Sequence, residues 1–351
     1  MRQDFASLLL KWNKDKNKRE MPWKGEKNPY YIWLSEIILQ QTRVEQGLPY
    51  FLRFKTKYPA VKHLAAAKED EVMKLWQGLG YYSRARNLHE TAKYVQQNLQ
   101  GKFPNSFDEL KKLKGVGEYT ASAIASFAFG ERKAVVDGNV IRVLSRVFGI
   151  ETAFDTTEGK KQFALLAQEL IDAKNPGAYN QAIMDFGATV CLPQNPQCEK
   201  CPFEKICIAN KEDRIEALPY RAKRTKITSR YFNYLVIKNE KEIFIRKRTG
   251  NDIWKNLYEL PMIETSKPVK KDFSKAISDF LGTEKFSVLV FSKEISQMLS
   301  HRKIHFRFAH IEAENFTSLR LPGAKRVKIK SLRQLAFPKT IHLHLLEKSL
   351  L

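Results

Sequence analysis

Four cysteines lie in one short run, Cys191-LPQNPQ-Cys198-EK-Cys201-PFEKI-Cys207, and the chain has no others. Thiolates this close in sequence can converge on one centre, and Pro193 and Pro196 limit the freedom of the loop between the first two. A disulfide framework would be spread through a small secreted chain, so the run reads as a site for metal or cluster ligation. Four thiolates suit a structural zinc ion and equally a cubane iron–sulfur cluster. The spacing leaves both open.

Two carboxylates have surroundings that suggest chemistry. Glu36 lies in WLSEIILQQTRV, a helical segment whose neighbours Trp33, Leu34, Ile37 and Ile38 are apolar. It is either at the edge of that helix or partly desolvated, and desolvation raises a carboxyl pKa. Asp137, in Val136-Asp137-Gly138-Asn139-Val140, follows an apolar stretch and opens a helix expected over 139–148. A plain N-cap is sufficient reason for an aspartate there.

Residues 106–129, SFDELKKLKGVGEYTASAIASFAF, form a third unit. Ser106 and Glu109 match a capping box that starts a helix. Gly115-Val116-Gly117 makes a tight turn that side chains would obstruct, and a small-residue helix follows as far as Gly130. Backbone N–H groups at a helix N-terminus suit a phosphate oxygen, so the unit reads as a DNA-binding helix–hairpin–helix. Contacts of that kind position DNA without reading its sequence.

These residues need scaffolds, and the chain supplies two. Apolar residues recur at helical spacing in 30–43, 68–76, 84–99, 106–113, 118–129, 137–148, 160–173 and 178–187, with stops such as Pro59, Gly101, Gly130 and Pro176 between them. Residues 1–216 are therefore expected to be a mostly α-helical domain. A basic segment, 217–229, reads as a linker. Beyond it YFNYLVI, EIFIRKR, FSVLVF and KIHFRFAHIEA have the composition of strands. With one helix near 271–281, residues 230–351 are expected to form an α+β domain.

The formal net charge is +23, distributed as +7 over residues 1–216 and +16 over 217–351. Such a field attracts polyanions, nucleic acid first. No apolar run is long enough to span a bilayer, and the N-terminal MRQDFASLLLKWNKDKNK lacks the features of a signal peptide. Phe5 to Trp12 instead begin an amphipathic helix. A cytoplasmic protein with no membrane partner is expected.

The cysteine spacing resembles the 4Fe–4S signature of the endonuclease III and MutY glycosylases, whose cluster organises a loop that meets the DNA backbone. Lys200, Lys205 and Lys211 are placed for that here. The segment VDGNVIRV resembles the active-site aspartate segment of the MutY family, and WLSEIILQQTRV its acid-bearing helix. The resemblance implies that Glu36 protonates adenine at N7 as general acid. Asp137 stays anionic and stabilises the positive sugar, a division of labour known from sugar-bond hydrolysis. Bifunctional relatives carry a lysine where this chain has Tyr119, and tyrosine cannot form an imine. A monofunctional glycosylase follows.

The resemblance extends to DNA recognition. Gln41 and Thr42 of QQTR match the wedge and lesion-contact element, and Leu79 and Tyr81 of GLGYYSR an intercalating one. The second half resembles a MutT-like, or Nudix-like, domain through RKR followed by W-x-x-L-Y-E-L-P, without a recognisable acidic metal-binding helix. Ser300-His301 matches the family's 8-oxoguanine loop, with Leu299 in place of the usual aromatic. The implied protein is a monomeric base excision repair enzyme that removes adenine opposite 8-oxoguanine or guanine in double-stranded DNA. An endonuclease III-like enzyme for oxidised pyrimidines, a non-catalytic iron–sulfur DNA-binding module and a Nudix hydrolase are the alternatives.

Overall fold

The computed structural model describes residues 2–222, 227–269 and 273–351. Residues 223–226 of the expected linker, and 271–272 of the expected helix, lie outside the described residues. The chain separates into two compact units. One comprises residues 1–66 with 87–223, the other 67–86 with 224–351. Residues 67–86, read from the sequence as part of the first domain, thus group with the second.

The first unit is helical. Helix Pro29–Leu39 begins with Asn28, whose side chain accepts from Tyr30 N–H, and with proline at its first position. Nearly every residue from Ile32 to Ile38 is buried, and Glu36 goes inside with them. Helix Glu118–Phe129 is small-residue-rich and buried from Thr120 to Ser126, so neighbours can approach its backbone closely. Helix Gly138–Phe148 buries Val140, Val143, Leu144 and Val147, the i, i+3, i+4, i+7 stripe of an amphipathic helix. Against these pack Phe5, Leu9 and Trp12 of helix Arg2–Asp15 and Tyr179, Ile183 and Phe186 of helix Pro176–Thr189. Helix Val44–Lys57 was not anticipated, because Pro49 inside it reads as a stop.

The second unit carries eight strands among the described residues: β1 Thr228–Ile237, β2 Glu242–Lys247, β3 Tyr258–Glu259, β4 Met262–Thr265, β5 Phe286–Phe291, β6 Ile295–Leu299, β7 Arg302–Ala313 and β8 Ala324–Lys328. Its larger sheet has the order β4-β1-β7-β5, with β6 also on β7, and the smaller sheet is β3-β2-β8. β1 and β7 run parallel from Thr228↔Arg302 to Ile237↔Ile311. Phe232, Tyr234 and Val236 face one core, and Leu235 and Ile237 another. Burial on both faces explains the near-continuous apolar run. Two helices, Ser274–Leu281 and Lys339–Glu347, accompany the sheets.

Segment 67–86 is tied into this unit by polar contacts. Lys247 Nζ donates to Asp70 Oδ1 at 2.7 Å, Tyr258 Oη to Asp70 Oδ2 at 3.1 Å, and Arg86 to the Lys255 carbonyl at 2.8 Å.

Candidate active site

Glu36, Tyr119 and Asp137 come from three different helices and line one open cavity, with Arg19, Trp23 and Gln181 also in its wall. Glu36 is only 8% exposed. Burial pushes its carboxyl up to about 7; a hydrogen bond from Tyr119 opposes the rise and the nearby Asp137 charge adds to it. The Tyr119 hydroxyl also lies 3.3 Å from Met184 Sδ. One hydroxyl proton serves one acceptor at a time, and a carboxylate is much the stronger acceptor.

Asp137 caps helix Gly138–Phe148. Its carboxylate accepts from Val140 N–H at 2.8 Å and from Asn139 Nδ2 at 2.8 Å. Burial raises its pKa too, so the expected pairing of one raised and one ordinary carboxyl needs correction. Asp137 has more that favours its ionised form, hydrogen bonds from Val140 and Asn139 and the Arg142 charge, where Glu36 has the single Tyr119 bond. Helix capping and a chemical role are compatible, since the cap both orients the carboxylate and favours its charged form.

The buried carboxylate of Asp185, absent from the sequence reading, holds the cavity wall. It accepts from Asn17 at 2.9 Å, Arg19 at 2.9 Å and Gln181 at 3.0 Å, and Lys24 Nζ is 3.2 Å away. Its only sequence signal was an acid within an apolar helix.

The four cysteines line a second, small cavity. Phe203 N–H donates to Cys201 Sγ at 3.3 Å, and the buried Arg146 guanidinium lies 3.6 Å from Cys191 Sγ. Burial raises the thiol pKa values of Cys198, Cys201 and Cys207, that of Cys201 to about 12. Four cysteines around one space, Cys207 buried and the others half-buried, are a donor set suited to a metal or a cluster. Among the described residues, no three such ligands converge as one ion demands. Lys200, Lys205 and Lys211 are exposed beside them. On the helix that Asp137 caps, Arg142 donates to the Cys191 carbonyl at 2.8 Å and to Asn139 Oδ1 at 2.9 Å.

The expected DNA contacts divide. Gln41, Tyr81 and Ser300 all have left-handed backbones, with φ of 53°, 46° and 46°. Such non-glycine residues carry strain that clusters at functional sites. Gln41, Tyr81, Ser300 and His301 are exposed, and Thr42 is half-buried. Ser300 and His301 form the turn between β6 and β7, where Leu299 pairs with Arg302. Leu79 is only 4% exposed, and the Val116 side chain is also buried. Both side chains belong to the packing, and the expectation at Val116 concerned the hairpin backbone and not its side chain.

In the hairpin, Gly115 has φ of 77°, and a Cβ there would lie 2.8 Å from Asn87 Cβ. Gly117 caps helix Glu118–Phe129 without any side-chain acceptor, which leaves that N-terminus open to an anion. Ser106 does not form the expected capping box. Glu131 Oε2 takes the Phe107 N–H instead, at 2.7 Å, and Glu109 pairs with Lys112.

Residues 34–171 match the HhH-GPD superfamily of base excision DNA repair proteins, and residues 233–347 match the NUDIX domain. The chain is 38% identical over 261 residues to an adenine DNA glycosylase of Buchnera aphidicola subsp. Schizaphis graminum, covering 74% of this chain and 75% of that relative. It is 44% identical over 223 residues to the adenine DNA glycosylase of Homo sapiens, covering 61% of this chain and 41% of that one. Among solved structures it is similar to a thermostable thymine-DNA glycosylase, with a TM-score of 0.55 and 32% identity over 60% of this chain and 97% of that chain. A non-covalent endonuclease III–DNA complex shares the fold, with a TM-score of 0.52 at 24% identity over 61% of this chain and 98% of that chain.

Proposed function

The chain belongs to the adenine DNA glycosylase family, and from that premise we propose that it hydrolyses the glycosidic bond of adenine opposite 8-oxoguanine, or opposite guanine, in duplex DNA. The observation that carries this reading is the convergence of Glu36, Tyr119 and Asp137 on one cavity, with the Glu36 carboxyl pushed up to about 7. A carboxyl so poised is half protonated near neutrality and acts as general acid there. Glu36 gives its proton to adenine N7, which makes the base a better leaving group. Asp137, held by Val140 and Asn139, balances the positive charge that develops on the sugar. Tyr119 orients Glu36 and, having no amine, forms no covalent adduct with the sugar, so the strand is left unbroken.

The base must leave the stack before it enters the cavity. In the first unit Gln41 and Thr42 brace the gap; in the second Tyr81 intercalates and Ser300 with His301 reads the oxidised base. The hairpin turn at Gly115 and Gly117, with Val116 N–H held by the Leu113 carbonyl, and the open helix start after it take a phosphate through backbone N–H groups. Cys191, Cys198, Cys201 and Cys207 hold a 4Fe–4S cluster, which when bound would cross-link the loop and present Lys200, Lys205 and Lys211 to the DNA backbone.

A duplex with one adenine opposite 8-oxoguanine tests the reading. Alkali-dependent strand cleavage that is lost in Glu36→Gln is the expected result. Activity confined to oxidised pyrimidines would assign the chain to endonuclease III-like chemistry instead. Tight binding without excision of any base would make it a binding module.

A further inference from the structure

Glu36 lines two cavities. The one called front also holds Tyr119 and Asp137. The other, the rear one, has a lining that includes Ser35, Lys27, Phe127 and Ala178. Trp23, Glu36 and Gln181 belong to the walls of both. At the rear cavity's mouth Gly25, Lys27 and Ala178 are exposed, while Ser35 and Glu36 at its floor are buried. Lys27 Nζ donates to the Phe127 carbonyl at 3.0 Å, a strap across that mouth.

We propose that this rear cavity is the route by which water reaches the reacting sugar while DNA fills the front. The inference rests on the proposed adenine excision. Hydrolysis consumes one water, yet an extruded adenosine and its flanking strand occupy the front cavity and exclude solvent from it. A residue in the walls of both cavities is placed to meet the base from one and solvent from the other. In the first step the C1′–N9 bond breaks, its electron pair leaves with adenine, and N7 keeps the proton taken from Glu36. In the second, a water oxygen bonds to C1′ and its released proton returns to the Glu36 carboxylate. The acid is restored, and the net change is the addition of one water across the bond.

Ala178 is exposed near the start of helix Pro176–Thr189, so Ala178→Trp narrows the mouth from a helix surface. Lys27→Ala removes the strap and widens it. Neither residue lies in the front cavity. The readout is the partition of the sugar cation between water and added methanol in single-turnover excision by the full-length protein. Methanol is larger and is hindered more by a narrow passage. Ala178→Trp is expected to lower the methanol-to-water product ratio several-fold, with DNA affinity unchanged, and Lys27→Ala to raise it. Should Ala178→Trp fail to fold, the rise in Lys27→Ala carries the test. Equal ratios in all folded proteins overturn the rear route and leave adenine excision intact. Absence of adenine excision by the wild type overturns the underlying reading and this inference with it.

Discussion

The Tyr81 hydroxyl lies 3.2 Å from Ser300 Oγ, across 219 positions of sequence. Both residues have left-handed backbones, and Tyr81 is 45% exposed. Arg84 lies over the Tyr81 ring, its guanidinium carbon 5.3 Å from the centroid. The element expected to intercalate and the loop expected to read the oxidised base are therefore one hydrogen-bonded surface of the second unit.

Tyr81→Phe keeps the ring and removes this bond, and Ser300→Ala removes it from the other side. Each is expected to cost about 1 kcal/mol of discrimination between 8-oxoguanine and guanine opposite adenine. The double variant should lose less than the sum, because the two share one interaction. Single-turnover rates on the two duplexes measure it, and strictly additive losses would count against a shared role.

Excision should fall as pH rises through about 7, where Glu36 loses its proton. Stability should follow the same group. Its folded pKa of about 7 is above the ordinary carboxyl value of 4.5, so the folded state binds the proton more tightly. Stability contributed by Glu36 is then full at low pH, falls between those two values and is level above them. Glu36→Gln escapes that loss, and at pH 8 it should be inactive yet more stable than wild type by up to about 3 kcal/mol. Denaturant titrations at pH 5 and pH 8 check the difference.

Asp185→Ala leaves Arg19 and Lys24 without the buried carboxylate that pairs them. A loss of about 3 kcal/mol is expected. Asp185→Asn keeps the volume but not the charge, and should fold while excising adenine more slowly, because Arg19 and Gln181 line the reaction cavity. Thermal unfolding and single-turnover rates separate the two effects.

Arg142→Met cuts the link from the Cys191 carbonyl through Asn139 to Asp137. Slower excision is expected with DNA affinity and iron content retained. Iron analysis beside the rate decides whether the defect is in the carboxylate's position or in the cysteine loop.

Gly115→Ala forces a side chain onto a backbone with φ of 77° and into Asn87. A destabilisation of about 1 to 3 kcal/mol is expected, together with weaker binding to undamaged as well as damaged duplex. A variant that binds both duplexes normally would remove the hairpin from the DNA interface.

Much of the site was legible in the sequence because its parts are local. The cysteine run, the Gly-Val-Gly turn and the Asp137 cap depend on residues within a few positions of one another, and so did most helices of the first unit. Reading failed where tertiary contact overrode local signals. Pro49 lies inside a helix. Glu131 took the helix start that Ser106 and Glu109 were expected to cap. Short strands such as β3 and β8 owe their existence to pairing with β2, and the helix Lys339–Glu347 went unread. Leu79 occupies a motif whose neighbour Tyr81 is exposed, yet its own side chain is buried.

By itself, the sequence determined the four clustered thiols, the Gly-Val-Gly turn and an aspartate at a helix start, because residue type and short spacing decide these without a distant partner. The roles of Glu36, Asp137 and Tyr119 came from the resemblance to the MutY family. The tertiary structure alone decided that Glu36 and Asp137 share a cavity, that Asp185 holds its wall, and that Tyr81 meets Ser300. It also decided how far Glu36 is desolvated. Desolvation sums over every residue packed around a group, and those residues come from helices far apart in sequence, so no local pattern encodes the result.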